Sequence, residues 1–203
     1  MGKEQKMQAS LFHVPAENDV VYTPLELAQD MVNFFKPSGV CLDPCSGGGV
    51  FLNLLPAGSE WCEITKGRDF YAWEKQVDWC FGNPPYSHYS AWLRHSMKVS
   101  KNIVYVMPVY KVFASGKFLQ DLFEWGGIVH IRRYGTGTDW GFPFGHALSA
   151  VHYQRDYSGS TAWSIYEAQQ SLHLTAFGAG GLGVNSLQGS SPAEVSAATH
   201  GGR

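Results

Sequence analysis

The 203-residue chain contains no apolar run long enough, at about 18 residues, to form an ordinary membrane-spanning helix. Its first ten residues, MGKEQKMQAS, lack the apolar stretch of a secretory signal, so a cytoplasmic location is expected. Nor is there an excess of positive charge. Fifteen Lys and Arg stand against 17 Asp and Glu, for a net charge of -2. This balance argues against binding of nucleic acid by bulk electrostatics, and a local basic strip would have to serve for any such contact. The four cysteines (Cys41, Cys45, Cys62 and Cys80) form no CxxC pair and fall mostly in apolar runs. They read as reduced core residues rather than as disulfides or metal ligands. No histidine spacing suits a metal ion. There is also no GxGxxG and no Walker lysine, so neither a dinucleotide nor ATP phosphates are natural guests.

What is present describes one globular domain, with 44% apolar and 14% aromatic residues. Residues 1–20 are polar and irregular and read as an arm, ahead of a domain spanning 21–170. From about Ala176 the composition collapses to Gly, Ala and Ser, so residues 176–203 are expected to be a disordered tail.

Within the domain the pattern alternates. Thr23 as N-cap, Pro24 in the first turn and Glu26 completing a capping box predict a helix, with Leu27, Met31, Phe34 and Phe35 on its apolar face. Strands are predicted at 40–43, 60–64, 77–82, 102–108, 127–131 and 147–153, and further helices at 50–55, 90–99 and 116–125. The segment Arg132 to His146 reads as a loop rich in glycine and aromatics. Strands alternating with helices and closing in an antiparallel pair predict an α/β fold: a mostly parallel sheet with one reversed strand. The stretch between Leu55 and Val77 is short for a full β-α-β-α unit, which predicts a sheet trimmed at one edge.

Two turns carry chemistry. After the strand ending at Asp43 comes Pro44-Cys45-Ser46-Gly47-Gly48-Gly49, a glycine turn next to a carboxylate that suits an amino-acid zwitterion. After the strand Val77–Gly82 comes Asn83-Pro84-Pro85-Tyr86. Asn83 offers a side-chain carbonyl, the prolines offer acceptors without an N–H, and Tyr86 offers a face for stacking. An amine held by two acceptors against a ring is a nucleophile in preparation. In a doubly wound sheet both turns can open into one crevice.

This combination resembles the S-adenosylmethionine-dependent amino-methyltransferases, in particular the N6-adenine DNA methyltransferases, over roughly Tyr22 to Tyr153. The resemblance implies a Rossmann-like class I methyltransferase fold and S-adenosylmethionine as cofactor. It implies that Asn83, Pro84, Pro85 and Tyr86 are catalytic, and that Thr23, Asp43, Pro44, Cys45, Gly47 and Gly49 bind the cofactor. Glu63 would hold the ribose hydroxyls, and Asp69 with Phe70 would flank the cofactor's adenine. The acceptor implied is the N6 amine of adenine in DNA, flipped out of the duplex, with direct attack and no covalent enzyme intermediate. Arg132, Arg133, Trp140, Phe142 and Phe144 are the expected substrate contacts. Alternative acceptors on the same fold are RNA adenine, cytosine N4 or a protein glutamine side chain, and a non-catalytic subunit is a further reading. No segment is long enough for a target-recognition region, which implies loose specificity or a protein partner that supplies it. No metal and no membrane are implied.

Overall fold

A computed structural model describes residues 21–167. The expected arm over 1–20 and tail over 176–203 lie outside the described residues.

Seven strands form one sheet. In chain order they are β1 (Cys41–Asp43), β2 (Glu60–Trp61), β3 (Val77–Gly82), β4 (Ser100–Pro108), β5 (Gly126–Thr136), β6 (Ala147–Arg155) and β7 (Ala162–Ile165). Across the sheet the order is β2-β1-β3-β4-β6-β5-β7. All neighbours pair in parallel except β6, which runs antiparallel to both β4 and β5. This is the mostly parallel sheet with one reversed strand that the alternation predicts. The trimmed edge is β2, a strand of 2 residues. From β2 to β3 the chain crosses through two short 3-10 turns, Ile64–Lys66 and Phe70–Ala72, with no α-helix.

The period of two along β4 builds both layers of the core. Ile103, Tyr105 and Met107 face one side, where they meet Trp92, Leu93 and Met97 of α2 (Tyr89–Val99) and Phe118 and Leu122 of α3 (Gly116–Trp125). Val104 and Val106 face the other, against Leu27, Ala28 and Met31 of α1 (Leu25–Phe35) and against Phe142 and Leu148. The helices form because their apolar residues recur three and four apart, giving each a single buried stripe. Ser115 caps α3, its side chain accepting from the Phe118 amide at 3.3 Å.

Three local expectations are corrected. The N-cap of α1 is Pro24, not Thr23, and no side chain caps it. With Pro24 in the cap position, Thr23 stands one residue too early to reach the free amides, and no capping box forms. Glu26 accepts instead from the Tyr166 hydroxyl at 2.6 Å. Residues 50–55 make only turns, because Pro56 ends the segment before regular helix can follow Gly49. Finally, β5 runs on to Thr136, so Arg132, Arg133 and Tyr134 belong to a strand and not to a loop. The strand persists because β7, which the sequence did not announce, pairs with it from His130 to Arg133.

Arg132 accordingly has a structural task. Its Nε and Nη2 donate to the two Asp30 carboxylate oxygens at 2.7 and 2.9 Å, and its guanidinium lies 4.2 Å from the centre of the Phe34 ring. This fork ties α1 to the sheet. The side chains of Arg132 and Asp30 are 12% and 20% exposed, so breaking the pair leaves a mostly buried carboxylate without its cation and with the Tyr134 hydroxyl as its remaining donor. Arg132→Met is expected to lower unfolding stability by about 3 kcal/mol in urea titrations, with a good part regained in the Asp30→Leu/Arg132→Met double variant. A single variant as stable as the parent would contradict this role.

Candidate active site at the sheet switch point

Strand β1 leads to β2 on one side and lies beside β3 on the other, so the direction of winding reverses between β1 and β3. Ligand crevices of open α/β sheets lie outside the carboxyl ends of the strands at such a point. Asp43 ends β1 and Asn83 follows β3. The two ends are in contact. A Cβ added at Gly82 would fall 3.0 Å from Asp43 Oδ1, so the carboxylate uses the space glycine leaves. The Cys45 thiol donates to the Asn83 backbone carbonyl at 3.0 Å, linking the two turns directly.

Asp43 is 1% exposed. Its Oδ1 accepts from the Cys45 amide at 3.2 Å, while Oδ2 is buried with no hydrogen-bond partner among the described residues. Burial, reinforced by the nearby Glu63 charge, raises the carboxyl pKa to about 7. The glycine turn is held open by its neighbours. Gly47 and Gly49 adopt φ of 47° and 81°, a left-handed backbone that suits glycine. The Gly47 amide donates to Glu63 Oε2 at 2.9 Å, and Ser46 N donates to the Cys62 carbonyl at 2.9 Å. The exposed Tyr22 ring lies over Gly47 and Gly48, and Thr23 is buried beside it in sequence. Since 50–55 is not a helix, no helix N-terminus faces this turn.

A cleft continues from the turn, lined by Pro44, Cys45, Glu63, Ile64, Asp69, Phe70, Tyr71, Pro85 and Trp92. Glu63 Oε1 accepts from Thr65 N and Oγ1 at 3.1 and 2.7 Å. Burial alone would raise its pKa, but the bonds from Thr65 and Gly47 and the Lys66 charge hold it below the usual carboxylate range. Asp69 Oδ1 accepts from Tyr71 N at 2.9 Å. Phe70 is 2% exposed and packs on Trp92 and His95, so it forms a wall of the cleft. Ile64, Tyr71 and Trp92 were not anticipated. Ile64 and Tyr71 directly follow residues singled out by sequence, whereas Trp92 was indistinguishable from the rest of the apolar stripe of α2.

The side chain of Asn83 is fixed at both ends. Its Nδ2 donates to the Val21 carbonyl at 3.1 Å, and its Oδ1 accepts from the Tyr86 hydroxyl at 2.6 Å. The reverse amide orientation would set acceptor against acceptor at Val21. The Tyr86 ring meets Phe144 edge to face at 5.5 Å.

The substrate-side expectations divide. Arg132 is engaged with Asp30, as described above. Arg133 is a half-buried residue of β5. Trp140 donates its ring N–H to the Tyr134 carbonyl at 2.6 Å and packs on Tyr134 and Tyr166. Phe142 is 3% exposed and belongs to the core. Phe144 alone of these five is paired with a residue of the Asn83 turn. Among the described residues no group of three or more His, Cys, Asp or Glu could hold a metal ion, and no helix is long and apolar enough to cross a membrane.

An unpartnered buried carboxylate is a liability that can be measured. With the folded pKa near 7 and the unfolded value near 4, Asp43 binds its proton more tightly in the folded state. The stability it permits is present below about pH 4 and is lost as pH rises through 7. Asp43→Asn is therefore expected to stabilise the ligand-free protein, by roughly 2 kcal/mol more at pH 8 than at pH 5 in urea unfolding. A gain independent of pH would contradict the burial argument.

No protein-family model matches the chain, and no curated protein matches it. Solved structures do. A modification subunit attributed to a type I restriction enzyme from Vibrio vulnificus YJ016 superposes with a TM-score of 0.56 at 15% identity, over 82% of this chain and 51% of that one. A type I restriction-modification methyltransferase subunit from Streptococcus thermophilus gives 0.52 at 16% identity, over 68% and 45%. A chain attributed to the class I S-adenosylmethionine-dependent methyltransferases, from Listeria monocytogenes, gives 0.53 at 12% identity, over 79% and 71%. The chain spans about half the length of the restriction-modification subunits. At such identities the likeness carries the fold, and the chain has the Rossmann-like fold of the class I S-adenosylmethionine-dependent methyltransferases.

Proposed function

We propose that this protein transfers a methyl group from S-adenosylmethionine to the exocyclic N6 amine of adenine in DNA. The observation that carries the reading is the meeting, at one switch point, of a buried carboxylate with an unpartnered oxygen and an asparagine turn rich in acceptors.

The residues fit the cofactor. Asp43 Oδ2 is an acceptor in want of a donor, which the ammonium of an amino acid provides. Thr23, Pro44, Cys45, Gly47 and Gly49 form the surroundings of that amino-acid end, Glu63 takes the ribose hydroxyls, and Asp69 accepts from the adenine amine in the cleft that Phe70 walls. When bound, S-adenosylmethionine supplies an electrophilic methyl group on a sulfonium.

The remaining work falls to the protein. The N6 lone pair of adenine is delocalised into the ring and is a weak nucleophile. Asn83 Oδ1 and the Pro84 carbonyl accept the two amine hydrogens, drawing the nitrogen towards tetrahedral geometry and dispersing its growing positive charge. Val21 keeps Asn83 Oδ1 turned towards the Tyr86 side, which limits reorganisation during the reaction. Pro85 keeps the turn free of a competing N–H. Both acceptors are neutral, so the surplus proton passes on to solvent, and no covalent enzyme intermediate is required. Tyr86 stacks on the target base, and the Phe144 ring stands edge to face against Tyr86. Holding nitrogen, methyl and sulfur in line supplies much of the acceleration. Site choice is assigned to a protein partner, a reading supported by the likeness in fold to modification subunits of type I restriction-modification systems.

Asn83→Ala should lower methyl transfer to adenine-containing DNA by 100-fold or more, roughly the loss that follows removal of one transition-state hydrogen-bonding group. Calorimetric affinity for S-adenosylhomocysteine should change little. Parallel loss of cofactor affinity would remove Asn83 from the catalytic role.

A further inference from the structure

The rings near Asn83 do not stop at the pocket. Tyr86 meets Phe144 at 5.5 Å, Phe144 stacks on His146 at 6.4 Å and 26°, and His146 meets Tyr110 at 4.8 Å. The last of these is open to solvent, with Tyr110 46% exposed, and His146 is exposed as well. An aromatic shelf thus leads from the reactive turn out to the surface. An open groove starts at the same Tyr86, and Arg94 and Lys111 are among its lining residues. Arg94 is paired with Asp121 at 2.7 Å. Lys111 has no carboxylate partner among the described residues, and its ammonium lies 5.6 Å from the Tyr110 ring centre.

This surface suits one form of nucleic acid better than another. A duplex presents phosphates to a protein, and its affinity comes from several cations that each neutralise one. The chain has a net charge of -2, and the groove offers Lys111 as its uncommitted cation. A duplex also keeps its bases stacked on one another, leaving ring faces on the protein without a partner. Unpaired nucleotides reverse both terms: each base brings a face to stack on Tyr, Phe or His, and a single lysine beside the ring meets the adjoining phosphate.

Building on the proposed adenine methylation, we infer that the substrate is presented as single-stranded DNA, with nucleotides flanking the target adenine stacked along Phe144, His146 and Tyr110 and a phosphate held at Lys111. The reactive base then reaches Asn83 from a strand already unpaired, without flipping from an intact duplex.

The test uses the full chain and a fluorescent 12-nucleotide DNA with one central adenine, free or annealed to its complement. Fluorescence anisotropy reads binding, and labelled methyl incorporation reads transfer. The expected result is at least tenfold tighter binding of the single strand. Tyr110→Ala should weaken single-strand binding about tenfold, within the range for loss of one stacked base. Lys111→Gln should make the salt dependence shallower by about 0.7 in log–log slope, one phosphate contact on a single strand. S-adenosylhomocysteine affinity, measured in parallel, should be unchanged in both variants, which shows that they are folded. Equal or tighter duplex binding, no binding of either form, or no effect of Tyr110→Ala would each overturn the inference. Tight single-strand binding without methyl transfer would leave the single-strand binding surface standing and remove the adenine-methylation reading instead. Transfer to duplex as efficient as to single strand would do the reverse.

Discussion

The arrangement rests on how closely two parallel strand ends are allowed to approach. Gly82 has no side chain, and into that space fits the Asp43 carboxylate, with Oδ1 3.0 Å from the position a Cβ would take. A side chain at this position would require the carboxylate to give way by a few tenths of an ångström. Around this contact the Cys45 thiol bonds the Asn83 carbonyl, and burial makes that thiol hard to ionise, so it stays a donor. The glycine turn and the asparagine turn are therefore joined directly. The supports behind it are ordinary: β4 packs both core layers, and the Arg132–Asp30 fork holds α1 against β5.

The two halves of this unit differ in what they cost the ligand-free protein. Asp43 keeps a buried oxygen without a hydrogen-bond partner among the described residues, and its raised pKa expresses that cost. Asn83 and Tyr86 satisfy each other, the hydroxyl donating to the oxygen that the proposed amine would approach. One half thus stands ready for a cation, and the other holds a hydrogen bond of the kind that the proposed substrate would make. Such pre-set acceptors are what a transfer between two bound molecules requires, since they need not reorganise as charge develops.

Much of this could be read from the sequence, for definite reasons. The strands ending at Asp43 and Gly82 are short apolar runs closed by residues that cannot extend a strand, so both turns stood out, and the alternation of elements gave the mostly parallel sheet. What could not be read depends on pairing at a distance. Arg132 looked like a loop arginine because nothing local reveals that β7 extends the sheet or that Asp30 waits on α1. Phe142 and Phe144 are two residues apart and alike in chemistry, yet one is in the core and the other at the crevice. The segment 50–55 has a helical composition, but Pro56 leaves it no length. Thr23 was misplaced by a single residue, which is enough to lose a cap.

The central claim is that the Asn83 turn activates the amine of adenine towards a methyl donor held at the Asp43 turn. Nucleoside analysis of DNA from cells expressing the protein tests it most directly. The account predicts N6-methyladenine above the level of the host alone with the parent protein, and none above that level with Asn83→Ala. Equal N6-methyladenine from both proteins, or a different methylated nucleoside from the parent, would contradict it.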